Sequence, residues 1–156
     1  MARTATHEMF DRDLASQGLG MELVSAGDGD AVVRMRVTPA MINGHGIAHG
    51  GYVFMVADTA FACACNSYGP VTVAAGADIT FLRPARAGAT LEARARERTV
   101  SGRSGIYDVT VLADGDVVAE FRGRSRVIGP PGPTGNGAVP PGVAAPSDGP
   151  GAGSGA

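Results

Sequence analysis

An apolar stretch near the middle of the chain constrains the fold more than any other feature. From Tyr52 to Cys65 almost every side chain is apolar or small, and Asp58 is the single charge. A glycine pair precedes the stretch and the sequence NSYGP closes it, which predicts one helix of about four turns. Because this helix has no polar face, it must be buried on most of its sides.

The segments around this helix alternate apolar and polar residues with the period of β-strands. In AVVRMRV, for example, Val33, Met35 and Val37 alternate with arginines, which is typical of a half-buried strand. Strands are predicted near residues 21–25, 31–37, 71–82, 90–100, 105–113 and 117–128. Turn sequences such as ADGD join neighbouring strands as hairpins. The predicted fold class is therefore α+β, with a curled and mainly antiparallel sheet wrapped around one long buried helix.

The two ends of the chain carry weaker patterns. Residues 5–17 place apolar groups at roughly helical spacing, and Gly18 and Gly20 are expected to end that helix. Residues 129–156 are mostly glycine, proline, alanine and serine, with almost nothing to bury. We therefore predict one folded domain at residues 1–128, followed by a disordered tail.

Charge and cysteine content argue against several classes of partner. The formal net charge of −2 predicts no bulk attraction to nucleic acid or to an anionic membrane. Cys63 and Cys65 point in different directions on one helix, which favours free buried thiols in a reducing compartment. The N-terminus lacks the apolar core of a signal peptide, and Asp58 interrupts the longest apolar run. These features predict a cytoplasmic protein.

The charge inside the apolar helix is the first candidate functional group. Burying a carboxylate is costly unless it is paired, hydrogen-bonded or used in chemistry. Desolvation would raise the pKa of Asp58, as expected for a general base or a nucleophile in a pocket. The structural alternative is a carboxylate that caps a loop or pairs with an arginine.

The start of the same helix is the second candidate site. If the helix begins at the HGG sequence, His49–Gly51, the backbone N–H groups of its first turn are free and lie at the positive end of the helix dipole. The small Gly50 and Gly51 let a substrate oxygen approach these donors closely. The arrangement would suit an oxyanion hole for an acyl carbonyl, although two glycines can also simply form a turn.

The separation of these two groups predicts a dimer. Gly50 and Asp58 lie eight residues apart, or about 12 Å along a helix. An attacking group and an oxyanion donor must each lie about 3 Å from the same reacting carbonyl. One helix therefore cannot supply both, but two antiparallel helices from two chains can. We predict a homodimer with two equivalent sites, each taking one group from each chain.

The loop before the helix, NGHGIAHGG, contains further polar side chains. His45 and His49 have a spacing seen in metal sites, but zinc needs three or four ligands and no further ligand is suitably placed. Asn43 or His49 could instead bond the substrate or place a water, and structuring the loop is the alternative role. The chain also lacks a nucleophile elbow, a phosphate loop and a dinucleotide fingerprint. No metal or redox cofactor is implied.

Four stretches of the chain together resemble one known family: NGHGIAHGGYVFMVADTAFACACNSYG, ITFLRPARAG, GIYDVTV and FRGRSR. That family is the PaaI type of thioesterase, which has the hotdog fold, and the resemblance covers about residues 5–128. It implies an acyl-CoA thioesterase that acts on phenylacetyl-CoA or ring-hydroxylated phenylacetyl-CoA in phenylacetate catabolism. It also implies a tetramer made of two dimers, in which both chains of a dimer build each site.

The resemblance also assigns roles to individual residues. Asp58 matches the family's catalytic carboxylate, which attacks the thioester or activates water. Gly50 matches the glycine whose backbone N–H polarises the thioester carbonyl. His49 and Asn43 match residues that orient the thioester and the attacking group. The sequence does not decide whether Asp58 acts as nucleophile or as base.

The phosphates of a CoA substrate need cationic partners. Arg83, Arg103 and Arg124, which the sequence places near strand ends, are the candidates, and solvated surface arginine is the alternative for each. Two other functions stay open. One is a non-catalytic acyl-CoA-binding module, and the other is a hotdog hydratase or dehydratase that would use His49 with Asp58.

Overall fold

The computed structural model describes residues 3–131 of the chain. The elements, in chain order, are α1 (Ala5–Asp11), α2 (Leu14–Gly18), β1 (Glu22–Gly27), β2 (Asp30–Arg36), α3 (Gly50–Cys65), β3 (Pro70–Phe81), β4 (Thr90–Ser101), β5 (Ser104–Ala113) and β6 (Asp116–Pro131). A single 3-10 turn, Pro39–Met41, lies between β2 and α3. The predicted order of two strands, one long helix and four strands is confirmed.

The six strands form one open antiparallel sheet, and α3 packs against it. The strand order is β1-β2-β4-β5-β6-β3, so β3 is an edge strand on the opposite side of the sheet from β1. Only α3 and its loops separate β2 from β3 in the chain, yet three strands separate them in the sheet. The helix therefore crosses the sheet, and it contacts all six strands. This arrangement confirms the predicted α+β fold class.

The core lies between α3 and the sheet. Val33 and Met35 of β2 are fully buried, while the arginines that alternate with them are exposed, as the strand pattern predicted. Phe61 of α3 packs against Phe121 of β6 with ring centroids 5.9 Å apart. Gly123 makes room for this packing, because a Cβ there would lie only 2.7 Å from the Phe61 ring.

Hairpins with two-residue loops join β1 to β2, β4 to β5 and β5 to β6, and they fix the register of these strand pairs. The β5–β6 turn places Asp114 at φ 48° and Gly115 at φ 92°, with Ala113 paired to Asp116. Positive φ at both central residues is the signature of a type I′ turn, whose twist matches that of the strands. The prediction of a hairpin at ADGD is confirmed.

The N-terminal region differs from the single helix expected over residues 5–17. Two short helices, α1 and α2, are separated at Arg12 and Asp13. Asp13 caps α2, since its Oδ1 accepts the backbone N–H of Ser16 at 2.9 Å. A capping residue has non-helical backbone angles, so the helix must break there although the apolar spacing continues. The second helix ends at Gly18, as expected.

The C-terminal strand is longer than expected. β6 continues to Pro131, beyond the boundary predicted after residue 128. The remainder of the segment predicted to be disordered, residues 132–156, lies outside the described residues.

The structure confirms the predicted burial of the two cysteines and the absence of a bond between them. Cys63 and Cys65 are both buried and free. Burial raises the pKa of each thiol to about 12, which keeps both protonated near neutral pH. Separately, none of the helices between residues 3 and 131 has the length and apolar character needed to cross a membrane.

Candidate active site

The N-terminus of α3 has two glycine N–H groups in different situations. His49 is the N-cap of the helix, and its Nδ1 accepts the backbone N–H of Gly51 at 2.9 Å. The N–H of Gly50, by contrast, has no acceptor among the residues that the structure describes. Since Nδ1 accepts a hydrogen bond, a neutral His49 carries its proton on Nε2. The free donor at this helix start is therefore Gly50, whereas the N–H of Gly51 is used in capping.

The loop before α3 is organised around Asn43. Its Oδ1 accepts the backbone N–H of His45 at 2.9 Å and that of Ile47 at 3.4 Å. Its own N–H donates to the carbonyl of Ile47 at 2.8 Å. The side-chain oxygen of Asn43 thus holds the loop, and its Nδ2 amide group is left to donate elsewhere.

An aromatic ring lies directly over Gly50. A Cβ added at Gly50 would lie 2.9 Å from Cζ of Phe81 and 3.3 Å from its Cε1. Real Cβ atoms do not approach other carbons so closely, so any side chain at this position would require the Phe81 ring to move. Phe81 is the last residue of β3 and is 54% exposed.

Asp58 lies near the middle of α3 and is partly buried. Within residues 3–131 its carboxylate has neither a hydrogen-bond donor nor an ion-pair partner, so it does not take either structural role considered for it. Burial raises its pKa above the usual value, and the nearby charge of Asp13 raises it further. A carboxylate without partners and with a raised pKa is suited to act as a base or as a nucleophile.

Asp13 is held near Asp58 by a short chain of hydrogen bonds. Its Oδ2 accepts the hydroxyl of Ser16 at 2.6 Å, and the Ser16 oxygen lies 2.9 Å from the hydroxyl of Thr59. Because the Ser16 proton goes to Asp13, the Thr59 hydroxyl donates to Ser16. This chain fixes the second carboxylate against the turn of α3 that carries Asp58.

The three candidate phosphate-binding arginines do not converge within one chain. Arg83 lies at the same end of the molecule as Gly50, and its Nη1 donates to the carbonyl of Val117 at 2.9 Å. Arg103 lies in the β4–β5 turn, at the other end of α3. Arg124 lies within β6 rather than near a strand end, and its Nη1 is 2.9 Å from an oxygen of Asp78. The expectation that Arg124 lies at a strand end was wrong, because β6 extends further than predicted.

Two features of the site region were missed by the sequence analysis. One is the contact of Phe81 with Gly50, and the other is a cavity of about 190 Å³ at the C-terminal end of α3. The cavity is lined by residues of α3 and four strands, and within it the Tyr107 hydroxyl donates to Glu97 at 3.1 Å. No sequence pattern indicates that these residues lie together, because they come from separate elements that meet only in the folded chain. Within residues 3–131, no group of three or more metal-binding side chains is present.

Comparison of the chain with known proteins identifies its family. The family model for the thioesterase superfamily matches residues 45–120. The acyl-coenzyme A thioesterase PaaI of Escherichia coli K12 is 46% identical over 124 residues, which cover 79% of this chain and 89% of that protein.

Solved structures give the same result. The structure of the E. coli PaaI protein from the phenylacetic acid degradation operon has a TM-score of 0.79 at 44% identity, covering 81% of this chain and 93% of that one. A mutant of the phenylacetic acid degradation protein PaaI from Thermus thermophilus has a TM-score of 0.72 at 39% identity, covering 74% and 100%. A Streptococcus mutans protein bound to acetyl-CoA has a TM-score of 0.67 at 28% identity, covering 70% and 90%.

An open antiparallel sheet packed against one helix, as seen in these relatives, is the hotdog thioesterase fold. The class of protein is therefore a hotdog thioesterase. More particularly, the chain belongs to the thioesterase superfamily as a PaaI-type thioesterase.

Proposed function

We propose that the protein hydrolyses acyl-CoA thioesters, and that its substrates are phenylacetyl-CoA or ring-hydroxylated phenylacetyl-CoA in phenylacetate catabolism. One observation carries the reaction class: α3 bears a partly buried, unpaired Asp58 and begins with an unpaired N–H at Gly50. The E. coli relative is named an acyl-coenzyme A thioesterase, and the S. mutans relative binds acetyl-CoA, which supports a CoA ester. The aryl group is inferred from the phenylacetic acid degradation proteins among the relatives.

The active site is proposed to form between two chains. Gly50 and Asp58 lie in one helix, about 12 Å apart along its axis, so they cannot act on one carbonyl. The edge strand β3 has one side that no described strand pairs, and such an edge is a template for pairing with a second copy. Antiparallel α3 helices across that edge would bring Gly50 of one chain to Asp58 of the other. The further pairing of two dimers into a tetramer remains a prediction from the family resemblance.

In this mechanism the thioester carbonyl accepts a hydrogen bond from the Gly50 N–H of one protomer. As a base, Asp58 of the other protomer removes a proton from water, whose oxygen forms a bond to the carbonyl carbon. As a nucleophile, the Asp58 oxygen forms that bond itself, and water then cleaves the resulting anhydride. By either route the carbon–sulfur bond breaks and the CoA sulfur takes up a proton. The negative charge that develops on the carbonyl oxygen is stabilised by Gly50 and the helix dipole.

The loop residues are proposed to orient the reacting groups. His49 caps the helix through Nδ1, which leaves the Nε2–H of its exposed ring as a donor to the substrate. Asn43 structures the loop through Oδ1, which leaves its Nδ2 group as a donor to the thioester or to water. Gly51 is proposed to contribute close approach by the substrate, since its N–H is taken by His49.

The arginines remain candidates for the CoA phosphates in a dimer. In antiparallel helices, the C-terminal end of one α3 lies beside the N-terminal end of the other. Arg103 of one chain would then lie at the same end of the site as Arg83 of the second chain. Arg124 is the weakest of the three candidates, because Asp78 already neutralises part of its charge.

The experiment that tests the function is thiol release from phenylacetyl-CoA, a hydroxyphenylacetyl-CoA and a linear acyl-CoA. We expect turnover of both aryl esters, with kcat/KM at least about tenfold above that of the linear ester, which is a typical discrimination by an apolar pocket. Binding of these esters without thiol release would instead indicate the non-catalytic binding module. Equal turnover of all three would contradict the aryl preference but not the reaction class.

The acid limb of the pH profile is expected to depend on Asp13. The catalytic form of Asp58 is the carboxylate, so kcat/KM should rise as pH passes its raised pKa. Asp13→Asn removes the neighbouring charge and keeps an acceptor for the α2 cap, so it should lower the pKa of Asp58 and move the acid limb to lower pH. The control is Asp28→Asn, which removes a carboxylate that does not act on Asp58, at a position of φ 51° that Asn tolerates. If the acid limb of the kcat/KM profile has the same pH midpoint in Asp13→Asn as in the wild type, that limb does not report the ionisation of Asp58.

A further inference from the structure

Phe81 lies against the residue that is proposed to hold the thioester carbonyl. Its ring contacts the Gly50 backbone so closely that a Cβ at Gly50 would lie 2.9 Å from Cζ. About half of the residue is nevertheless exposed. One edge of the ring therefore contacts the start of α3, and the rest of the ring is exposed next to Gly50.

The backbone around Phe81 is held in place from two sides. Phe81 pairs with Ala119 in β6, and the N–H groups of the next two residues both donate to the carbonyl of Val118, at 2.8 and 3.2 Å. The carbonyl of Ala85 accepts the N–H of Ala48, at 2.8 Å, which ties this segment to the loop before α3. The backbone that carries the ring beside Gly50 is thus held by β6 and by the loop before α3.

We propose that Phe81 forms a wall of the thioester site that excludes water from the Gly50 N–H. This inference rests on the proposed function, since it names a further residue of the same site. A carbonyl oxygen bound to that N–H lies about 3 Å from the nitrogen, within reach of the exposed part of a ring that touches the same residue. Hydrogen bonds to a developing oxyanion are stronger where water is excluded, because water competes for the donor and screens the charge.

The wall is tested by Phe81→Ala with Leu82→Ala as the matched control. The two residues are neighbours in the chain and each is 54% exposed, but the three atoms nearest to a Cβ at Gly50 all belong to Phe81. We expect Phe81→Ala to lower kcat by about tenfold, which is less than the roughly 10²–10³-fold typical of deleting an oxyanion donor itself. The loss should be equal for an aryl ester and a linear ester, because the wall acts on the carbonyl. Leu82→Ala should retain wild-type kcat.

A conservative variant separates this role from a loss of folding. Phe81→Leu keeps an apolar group over Gly50 and should recover most of the activity lost in Phe81→Ala, with thermal unfolding followed for every variant. Wild-type kcat in a folded Phe81→Ala would overturn the wall and leave the thioesterase intact. A loss confined to the aryl ester would also overturn it, since the ring would then be contacting the acyl group. Absence of thiol release from the wild type would overturn both the proposed function and the wall.

A second test uses the close approach itself. Gly50→Ala keeps the backbone N–H but directs a Cβ into the Phe81 ring. If the ring and Gly50 act as one unit, Gly50→Ala should reduce kcat strongly in the wild-type background and less in the Phe81→Ala background. Equal losses in the two backgrounds would show that the contact has no part in the site.

Discussion

Asp58→Asn should lower kcat for thioester hydrolysis by about 10²–10⁴-fold in a protein that remains folded. The amide has nearly the same shape as the carboxylate, but it cannot remove a proton from water or form an acyl anhydride. Asp108→Asn is the control, because the same chemical change is then made in β5, where the carboxylate pairs with Arg122 rather than facing α3. Thiol release measured for both variants decides the result. A folded Asp58→Asn enzyme that retains more than about a tenth of wild-type kcat would exclude this residue as the attacking group or base.

The same variant should be at least as stable as the wild type at neutral pH. The pKa of Asp58 is raised in the folded state, so the folded protein binds this proton more tightly than the unfolded chain does. Stability is therefore lost as pH rises from the unfolded pKa through the folded one, and the loss is complete above that window. Asn carries no charge, so Asp58→Asn should raise the thermal unfolding temperature at about pH 7, and the difference should vanish at acidic pH. An enzyme that trades stability for an ionised catalytic group shows this behaviour.

Gly50→Pro is expected to reduce kcat by about 10²–10³-fold relative to Gly50→Ala, the usual effect of losing one oxyanion donor. Proline removes the N–H but is well tolerated at the first position of a helix, and His49, at φ −61° and ψ 133°, already has the extended conformation required before proline. Gly50→Ala is the steric reference, because both variants add a Cβ near Phe81 and only proline deletes the donor. Gly50→Ala is itself expected to lose kcat through that contact, so the effect of the N–H is the further loss from Gly50→Ala to Gly50→Pro. Similar kcat in the two variants would show that steric contact, and not the N–H, accounts for the effect.

Mixed dimers test whether two chains build each site. A dimer of one Asp58→Asn chain and one Gly50→Pro chain has one intact site out of two, which joins the glycine of the first chain to the carboxylate of the second. Co-expression with two different affinity tags would isolate it, and its activity should be about half that of the wild type. A doubly tagged Asp58→Asn dimer serves as the inactive control. No recovery in the mixed dimer would place both groups within one chain or exclude the proposed pairing.

Much of the fold could be predicted because its signals are local. The glycine pair and the sequence NSYGP bound α3 at Gly50–Cys65, and the turn ADGD sets a hairpin whose two central residues have positive φ. Strand alternation located all six strands to within a few residues. The N-terminal helix was mispredicted because the side chain of Asp13 caps a second helix, which apolar spacing does not reveal.

The candidate site was predictable only in part. Asp58 was expected to be a charge without an obvious local partner, and the free N–H at Gly50 follows from the helix start. The capture of the Gly51 N–H by His49 depends on a rotamer, and the contact with Phe81 depends on how β3 meets α3. Both are tertiary details, and no spacing in the chain encodes them. The three arginines were chosen because the sequence placed them near strand ends. For Arg124 this was wrong, because β6 continues to Pro131.

The place of β3 in the sheet has a consequence for the order in which the protein folds. β4, β5 and β6 follow one another through tight turns, so their pairings close short loops. β3 precedes them in the chain but hydrogen-bonds to β6, so it must remain unpaired until β6 has been synthesised. We therefore expect β3 to join the sheet last and to exchange its amide protons sooner than β5. Assembly through that edge would then follow completion of each chain, which protects nascent chains from pairing too early.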